Sequence, residues 1–455
     1  MKDVIIVGGG LAGLSAAWRL RHFDTLVLES ESRVGGRIRS EKRGRYFLNW
    51  GGHVFAGEGS STHALLGETG TRAVTVPGVL AGLQMNGKLL LKGQIASYPF
   101  RVPMSLSSRV ALLKTGARVG LDVLRYARVV RKRAGETPEM RQQRIYDFEN
   151  TRSFQDYVGD LSPDVEALFK PTVTRSAADM DQLAAGAGIG YFSLVFNVGQ
   201  GLNQHIAGGP STLIGNIAGC LGERIERGAQ VTEVIHREDS VLVRYERDGK
   251  AHEVEARTVV MATPATVTHR VTRGLPEELH QALGQIRYGE YVSAAFLTNE
   301  TSPRPWDGAY GIATPKRSFN IALNMGNVVR GGDSTRQPGG SLMVFSPASL
   351  ARELIDLSDE EITETYLRDL DDALPGFRAD VTEAVVQRWR TGAPYCFPGR
   401  AALQPVLTNP ARRIFLAGDY LGTLYTETAI SSGFAAATHA ASLLAPELEH
   451  ATIQA

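Results

Sequence analysis

The sequence predicts an α/β protein with a parallel sheet in one domain and a mixed α+β second domain. Residues 4–7 form a continuous apolar run, which is typical of a parallel strand covered on both faces. A glycine-rich turn follows, then apolar residues at helical spacing over 11–20, then a second apolar run at 25–28. This order opens a βαβ unit and therefore indicates a parallel sheet. Because 455 residues exceed what one hydrophobic core usually serves, we expect at least two domains.

The turn after the first strand has the chemistry of a dinucleotide-binding loop. Gly8, Gly10 and Gly13 satisfy the pattern G-x-G-x-x-G. Gly8 allows the tight turn, Gly10 lets a pyrophosphate approach the backbone, and Gly13 permits close packing of helix and sheet. The following helix N-terminus offers N–H donors to the anion. Glu29, at the end of the second strand, can accept both hydroxyls of a ribose but would repel a 2′-phosphate.

Two further glycine pairs distinguish FAD from NAD. Residues 32–37 read Ser-Arg-Val-Gly-Gly-Arg, and residues 50–53 read Trp-Gly-Gly-His. With these motifs the chain resembles the flavin amine oxidase and protoporphyrinogen oxidase superfamily. The resemblance implies FAD as the cofactor, with Gly51 and Gly52 beneath the flavin ring. The guanidinium of Arg37 is suited to binding a phosphate.

The C-terminal part carries a third motif. Residues 414–419 read Ile-Phe-Leu-Ala-Gly-Asp, and an alanine-rich helix is predicted from Thr426, its expected N-cap. This part resembles the C-terminal flavin signature of the superfamily, in which the acidic residue, here Asp419, contacts the ribityl chain. The resemblance also implies that the helix, which includes Ala429, points its N-terminus at the flavin pyrimidine. Such a dipole stabilises the negative charge that develops there on reduction.

Two more cofactor contacts follow from the same resemblance. Gly418 precedes the acidic residue of the C-terminal signature. Residues 208–231 resemble the stretch that returns to the adenine end of FAD, so Val231 is the expected contact there.

The chain is predicted to visit a discontinuous domain three times. The Rossmann-like FAD-binding domain, with its parallel sheet, is expected to comprise residues 1–75, 205–285 and 400–455. The mixed α+β substrate-binding domain is expected to comprise residues 76–204 and 286–399, with a helical part around 101–190. No repeat or obvious linker divides the sequence otherwise.

The expected reaction is dehydrogenation of a small-molecule substrate. Amine oxidases of this superfamily typically hold a lysine near flavin N5, on a strand of the substrate domain, and flank the ring with an aromatic cage. The corresponding strand, residues 291–297, contains no lysine. Tyr425 stands where one cage tyrosine is found, and Tyr395 is the candidate for the other. Residues 389–399 are more similar to protoporphyrinogen oxidases. We therefore expect hydride transfer from a C–N or C–C bond to N5, with oxygen as the electron acceptor.

His53 favours a different class of function. The sugar-nucleotide mutases that share this FAD fold have a Gly-x-His pattern against the flavin, and they use reduced flavin for a redox-neutral rearrangement. The alternative function is therefore a flavin-dependent isomerase or mutase, in which His53 has a chemical role rather than simply packing beside the cofactor. A third possibility is a scaffold that binds FAD without catalysis.

Composition excludes several partners. Forty-nine basic residues balance 48 acidic ones, so no global attraction to nucleic acid is expected. The two cysteines, Cys220 and Cys396, lie far apart, which fits a reducing, cytoplasmic compartment and gives no metal site. Neither G-x-S-x-G nor H-E-x-x-H occurs, so a serine hydrolase of that type and a zinc protease are not supported.

Two stretches have unusual charge. Between Arg101 and Arg133 nine basic residues accompany one acid, Asp122, among apolar residues at helical spacing. This zone is either a solvated helix face, a peripheral contact with an anionic membrane, or a guide for an acidic substrate.

Residues 182–222 lack Asp, Glu, Lys and Arg, but their polar residues and glycines favour buried protein interior over a membrane span. Their aromatic residues, which include Tyr191 and Phe196, suit an apolar substrate cavity.

Overall fold

The computed structural model describes residues 1–75, 82–92, 97–195, 202–330, 337–409 and 411–453. The strands are β1 Lys2–Val7, β2 Thr25–Glu29, β3 Ser40–Arg43, β4 Tyr46–Asn49, β5 Phe55–Ala56, β6 Ala73–Thr75, β7 Gly82–Met85, β8 Lys88–Leu90, β9 Leu202–Ile206, β10 Ile225–Arg227, β11 Gln230–His236, β12 Val241–Arg247, β13 Lys250–Met261, β14 Thr272–Arg273, β15 Tyr288–Thr298, β16 Gly311–Ala313, β17 Ile321–Asn324, β18 Gly340–Pro347, β19 Val381–Pro394 and β20 Ile414–Leu416. The helices are α1 Leu11–Arg19, α2 Ser61–Glu68, α3 Tyr98–Arg101, α4 Leu106–Val130, α5 Pro138–Asp147, α6 Phe154–Val158, α7 Pro163–Val173, α8 Ala185–Val195, α9 Ser211–Leu221, α10 Ala265–Val271, α11 Glu277–Gln285, α12 Gly326–Arg330, α13 Ser349–Leu354, α14 Asp359–Ala373, α15 Phe377–Asp380, α16 Gln404–Leu407 and α17 Thr426–Ile453.

The first sheet confirms the βαβ opening. Its strand order is β10-β2-β1-β13-β12-β11-β14, and β20 pairs with β13. The central strand β1 is parallel to both neighbours, with Val4 opposite Thr25 on one side and Thr258 on the other. β10 and β20 also pair in parallel with their neighbours. Because parallel strands end at the same edge, the loops after β1, β2, β13 and β20 meet there, where ligands of such sheets bind.

Helices cover one face of this sheet and a second buried cluster lies on the other, as the unbroken apolar strands require. Leu14 of α1 and Ile430 of α17 belong to one buried cluster with β1, whereas Ile5 faces a second cluster with β11 and β12. α17 crosses α1 at close range because Gly433 lacks a side chain. A Cβ there would lie 2.4 Å from the carbonyl oxygen of Ala12. The C-terminal helix is thereby held over the glycine-rich turn.

The second sheet has a different construction. Its order is β19-β15-β18-β17-β16-β7-β8, and β15 pairs antiparallel with both β18 and β19. The strand predicted at residues 291–297 lies inside β15. Strands of the first sheet come from residues 2–29, 225–273 and 414–416, and those of the second from residues 82–90 and 288–394. The domain bounds given above remain a prediction.

A helical part covers the second sheet at one end, close to the predicted range of 101–190. Helices α4, α6, α7 and α8 share a buried cluster that includes Val123, Phe154 and Phe192. α8 is buried along most of its length, as the uncharged stretch predicts. Phe196 lies outside the described residues. In the part of the chain that the structure describes, no helix combines the length and apolarity needed to cross a bilayer.

Candidate active site

The glycine loop after β1 is built as a phosphate-binding turn requires. Gly8 has a φ of 107° and donates its N–H to the carbonyl of Leu28 at 2.8 Å. A Cβ at Gly13 would lie 1.9 Å from the carbonyl oxygen of Gly8, so only glycine allows α1 to start this close to the strand. A Cβ at Gly10 would meet no atom within 4 Å. The loop therefore has an open side at Gly10, and this arrangement fits a pyrophosphate.

Glu29 is fixed beside this loop at the carboxyl end of β2. One carboxylate oxygen accepts the backbone N–H of Gly9 at 2.7 Å, and the other accepts that of Glu31 at 2.8 Å. The residue is 7% exposed. These bonds orient a charged acceptor at the edge of the open loop, as recognition of a ribose requires. Glu29 as the ribose ligand remains a prediction.

The two further glycine pairs, at residues 35–36 and 51–52, pack next to the glycine loop that follows β1. Gly35 donates its N–H to the carbonyl of Gly9 at 2.8 Å. Gly52 donates to the carbonyl of Arg37 at 3.0 Å, and a Cβ at Gly51 would lie 2.0 Å from that same oxygen. The three motifs therefore form one continuous cradle, although they are separate in the sequence.

Arg37 has partners that the sequence did not indicate. Its guanidinium lies 2.8 Å from the carboxylate of Asp419 and donates to the carbonyl of Gly392 at 2.9 Å. Asp419 is 9% exposed. The guanidinium predicted for a phosphate is therefore already paired, and the ion pair joins the N-terminal cradle to the C-terminal motif. Contact of either residue with FAD remains a prediction.

The other predicted cofactor residues lie around the same edge of the first sheet. Gly418 follows β20 and donates its N–H to the hydroxyl of Ser432 at 2.9 Å. Ala429 is buried in α17 against α1 and β1, and Val231 is half-buried in β11. Gly8, Gly10, Gly13, Glu29 and Gly418 are thus brought together at the edge where the parallel strands end.

The start of α17 is held by neighbouring loops. Thr426 is its first residue, and the Thr426 hydroxyl donates to the carbonyl of Val54 at 2.9 Å, so the prediction of Thr426 as an N-capping acceptor is wrong. The hydroxyl of Thr428 instead accepts the N–H of Leu424 at 3.0 Å. Tyr425, immediately before the helix, has a φ of 39°. This left-handed conformation is strained for a non-glycine residue, and such strain is common at ligand sites.

A cavity of about 90 Å³ lies between the helical part and the two C-terminal loops. Tyr395 and Tyr425, the two predicted cage tyrosines, both line it. The other aromatic lining residues are Tyr126, Tyr146, Phe148 and Tyr191. The described residues around the cavity include one arginine, Arg141, and no Asp or Glu. The wall is therefore largely apolar and free of carboxylates.

Tyr425 is anchored inside this wall. Its hydroxyl contacts the hydroxyl of Tyr191, and their rings are 6.3 Å apart. Burial raises the pKa of Tyr425 well above its ordinary value, so the phenol is neutral at physiological pH. Tyr395 packs against the same helical cluster. Both rings are thus packed against the apolar cluster of the helical part.

His53 is separate from the cavity. It is not among the described residues that line the cavity, and its Nδ1 lies 2.9 Å from the carbonyl oxygen of Gly51. Its ring is 5.9 Å from that of His205. Burial lowers the pKa of His53 to about 4, so the imidazole is neutral at pH 7. Across the described ranges, no group of three or more His, Cys, Asp and Glu side chains is placed to hold a metal ion.

Sequence reasoning missed Arg175. It lies in the 3₁₀ turn Thr174–Ser176, which follows α7, and its backbone carbonyl accepts the hydroxyl of Tyr291. No motif surrounds Arg175, and Tyr291 is distant from it in the sequence. The contact between them could therefore not be predicted before the fold was known.

Comparison with protein families identifies one match over nearly the whole chain. The model of the family described as flavin containing amine oxidoreductase matches residues 11–441. Among characterised proteins, amine oxidase [flavin-containing] A of Canis lupus familiaris is 24% identical over 467 residues, covering 95% of this chain and 84% of that protein. Amine oxidase [flavin-containing] B of the same species is 25% identical over 473 residues, covering 96% and 85%.

Solved structures share the fold over the same length. Wild-type putrescine oxidase bound to putrescine superimposes with a TM-score of 0.73 at 19% identity, covering 98% of this chain and 99% of that one. Cyclohexylamine oxidase from Brevibacterium oxydans IH-35A gives a TM-score of 0.75 at 17% identity, covering 97% and 99%. At these identities the likeness shows the two-sheet fold.

Proposed function

Because the chain belongs to the flavin-containing amine oxidoreductase family, we propose that it dehydrogenates the C–N bond of a small amine and passes the electrons to oxygen. It is an FAD-dependent oxidoreductase, and the glycine cradle described above fits that cofactor. The observation that carries the proposal is the pair Tyr395 and Tyr425 in the wall of a carboxylate-free cavity. An amine must be neutral to lose a hydride, and a nearby carboxylate would hold it protonated.

The side chains of the cavity bind and orient the substrate and exclude water. When bound, FAD supplies the electron acceptor at N5. Tyr395 and Tyr425 offer ring faces that align an amine. The start of α17, beside Tyr425, presents backbone N–H groups and a positive dipole end toward the predicted flavin pyrimidine. The apolar wall keeps bulk water from the reacting carbon.

The alternatives have weaker structural support. Trp389, in the segment similar to protoporphyrinogen oxidases, donates its indole N–H to the carbonyl of Trp50 at 3.1 Å, so it belongs to the sheet packing. C–C dehydrogenation is therefore the second choice. The mutase alternative depended on His53, which lies outside the cavity lining and is neutral at pH 7. The place of His53 outside the cavity lining and its neutral imidazole favour amine oxidation over a redox-neutral rearrangement.

Oxygen uptake tests this function directly. The purified holoprotein should consume oxygen and release hydrogen peroxide with cyclohexylamine or benzylamine, giving a carbonyl product and ammonia. Cyclohexanol and benzyl alcohol serve as controls and should give no uptake. Absence of uptake with every amine in a broad panel would contradict the proposal.

Tyr425→Phe should slow flavin reduction about tenfold while leaving FAD content unchanged. The change removes the hydroxyl contact with Tyr191 but keeps the ring, so the cage is less well oriented. Stopped-flow reduction by an amine, with FAD counted per protein, separates the two effects. Tyr245→Phe is the matched control, because its hydroxyl bonds to Glu226 on the first sheet. An unchanged reduction rate in Tyr425→Phe would make this tyrosine a packing residue.

The exposed face of α4 is a second surface with functional chemistry, and we propose that it contacts an anionic bilayer. Leu106, Val110, Leu113, Leu121 and Leu124 are 78, 59, 42, 66 and 55% exposed. They follow one another at intervals of three or four residues when Ala117, between Leu113 and Leu121, is included. This spacing places them on one side of the helix. Patches of this kind on a soluble surface usually mark an interaction site.

The basic residues of α4 favour an anionic membrane as the partner of this face. The exposed basic residues of α4 include Lys114, Arg118, Arg125 and Arg128. The acid in this zone, Asp122, accepts the hydroxyl of Tyr157 and forms an ion pair with Arg125, each at 2.7 Å, so Arg125 adds no net charge to this face. Basic residues close to an anionic bilayer each contribute about 1 kcal/mol, in addition to the insertion of apolar side chains.

The double variant Leu121→Asp/Leu124→Asp should bind anionic vesicles at least about tenfold more weakly than the wild type, because two inserted side chains become charged. Co-sedimentation with phosphatidylserine-containing vesicles and with neutral vesicles measures this. Leu357→Asp, which alters another exposed leucine, is the control and should leave binding unchanged. Equal binding of the wild type and the double variant would contradict a membrane contact through α4.

A further inference from the structure

Arg141 places a positive charge in the wall of the active-site cavity. It is the only charged side chain among the described residues that line the cavity. Its Nε donates to the carbonyl of Val130, which also lines the cavity, at 2.8 Å. Tyr126 precedes Val130 by four residues on α4, so the two side chains lie on one face of the helix. The end of the cavity formed by α4 and α5 therefore carries a guanidinium.

Aromatic side chains connect this end of the cavity to the predicted cage tyrosine Tyr425. A Cβ at Gly190 of α8 would lie 2.8 Å from the hydroxyl of Tyr126, so Tyr126 reaches α8 at that point. The hydroxyl of the next residue, Tyr191, contacts that of Tyr425. From the cage the wall thus runs over Tyr191 and Tyr126 to Arg141. An amine whose reacting end lies at the cage therefore extends its tail toward the guanidinium.

Two aromatic rings of the cavity wall already face arginines of the protein. The guanidinium of Arg400 lies 4.7 Å from the ring centroid of Tyr146, and that of Arg125 lies 5.8 Å from the ring centroid of Phe148. Arg400 is 2% exposed, and its Nη2 donates to the neutral side chain of Gln404 at 2.9 Å. One face of each ring, which attracts cations, is thereby used by the protein itself. Arg400 also adds positive charge behind the wall.

We propose that Arg141 determines substrate specificity by excluding amines that carry a second cationic group. This inference rests on the proposed amine oxidation and adds the substrate class, a monoamine whose tail bears no positive charge. An alkylammonium keeps its proton up to about pH 10, so the far amine of a diamine arrives as a cation. It would lose its water beside a guanidinium, and none of the described residues of the wall offers a carboxylate in exchange.

General repulsion by the basic surface would give a similar preference. Residues 125–149 hold seven basic and four acidic residues, and Lys132 is one of the exposed basic residues. Exposed charges separated by more than about 8–10 Å are largely screened at physiological salt. Arg141 is half-buried in the wall and acts on the tail at close range, where salt screens much less. The two explanations therefore differ in their response to salt and to a change at Lys132.

Stopped-flow reduction of the holoprotein by pentylamine and by 1,5-diaminopentane measures the discrimination. The two amines have the same carbon chain and differ in the charged tail. The wild type should bind pentylamine about 100-fold more tightly, with the difference in the Kd rather than in the limiting rate. Arg141→Gln should reduce this ratio about tenfold, and Arg141→Glu should reduce it further, because the repelling charge is removed or reversed. Lys132→Gln is the matched control and should keep the wild-type ratio.

Each outcome decides the inference. Equal wild-type affinity for the two amines, or an unchanged ratio in Arg141→Gln, overturns it. An equal loss of discrimination in Lys132→Gln also overturns it and assigns the preference to the basic surface. Should Arg141→Gln fail to fold, the wild-type ratio in about 0.5 M salt decides, because a ratio that disappears there reflects screened surface charge and a retained ratio supports Arg141.

Failure of the proposed amine oxidation would be recognised separately. In that case neither amine reduces the flavin, and their binding is compared through the perturbation of its visible spectrum. Tighter binding of pentylamine that depends on Arg141 would then support the exclusion of cations and contradict amine oxidation. Reduction by both amines with equal Kd values would support amine oxidation and overturn the role of Arg141.

Discussion

Glu29→Gln should weaken FAD binding at least about 100-fold. Both carboxylate oxygens already accept backbone N–H groups, from Gly9 and from Glu31. A glutamine has one oxygen and one amide NH₂, so one of these N–H groups would face a donor. An unsatisfied buried group costs about 1–3 kcal/mol. The predicted charge-assisted bonds to the ribose hydroxyls would be lost as well, each about 1.5–3 kcal/mol.

FAD retention measures this effect. The variant is passed through gel filtration, and flavin absorbance is compared with protein absorbance before and after dilution. Glu31→Gln is the matched control, because Glu31 is exposed and contributes only its backbone N–H to the contact. Retention of FAD by Glu29→Gln at the wild-type level would show that the adenosine end binds elsewhere.

Arg37→Gln should lower the free energy of unfolding by about 2 kcal/mol and reduce FAD retention. Removing the guanidinium leaves the carboxylate of Asp419, whose side chain is 10% exposed, without its counter-ion. Breaking a fully buried pair costs about 3–5 kcal/mol, and the partial exposure of Arg37, at 33%, reduces this figure. The cradle and the C-terminal motif also lose the bond that joins them.

The double variant Arg37→Gln/Asp419→Asn distinguishes the ion pair from other effects. It removes both charges and should recover part of the lost stability in urea unfolding, because no unpaired charge remains. Arg378→Gln, in an exposed pair with Glu364, should leave the free energy of unfolding nearly unchanged, because surface pairs contribute little. A double variant whose loss is simply the sum of the two single losses would show that the pair does not couple the two motifs.

Patterns within short stretches of the sequence were sufficient to predict the βαβ unit and individual helices and strands. The run at residues 4–7, the glycine turn and Glu29 are consecutive in one βαβ unit, and the structure confirms them as strand, turn, helix and strand. The strand containing residues 291–297 was also confirmed, and α4 lies within the stretch 101–133 where apolar residues recur at helical spacing, since helical and strand patterns are readable over short windows.

Contacts between distant residues could not be predicted in this way. The ion pair of Arg37 with Asp419 joins positions 382 residues apart in the chain, and nothing in either motif indicates the other. Arg175 lies in a turn without a motif, and its contact with the hydroxyl of Tyr291 becomes visible only when the side chains are placed. Thr426 was assigned as a cap from residue type, whereas a neighbouring loop decides what its hydroxyl binds.

Anaerobic reduction of the bound flavin tests the central claim most directly. The oxidised holoprotein is mixed without oxygen with amines, amino acids, tetrapyrroles and isoprenoids, and the visible absorbance of the flavin is followed. Amine oxidation predicts rapid bleaching by amines and none by the isoprenoids. No bleaching by any amine, together with activity on a sugar nucleotide only after dithionite reduction, would contradict it and establish a redox-neutral enzyme.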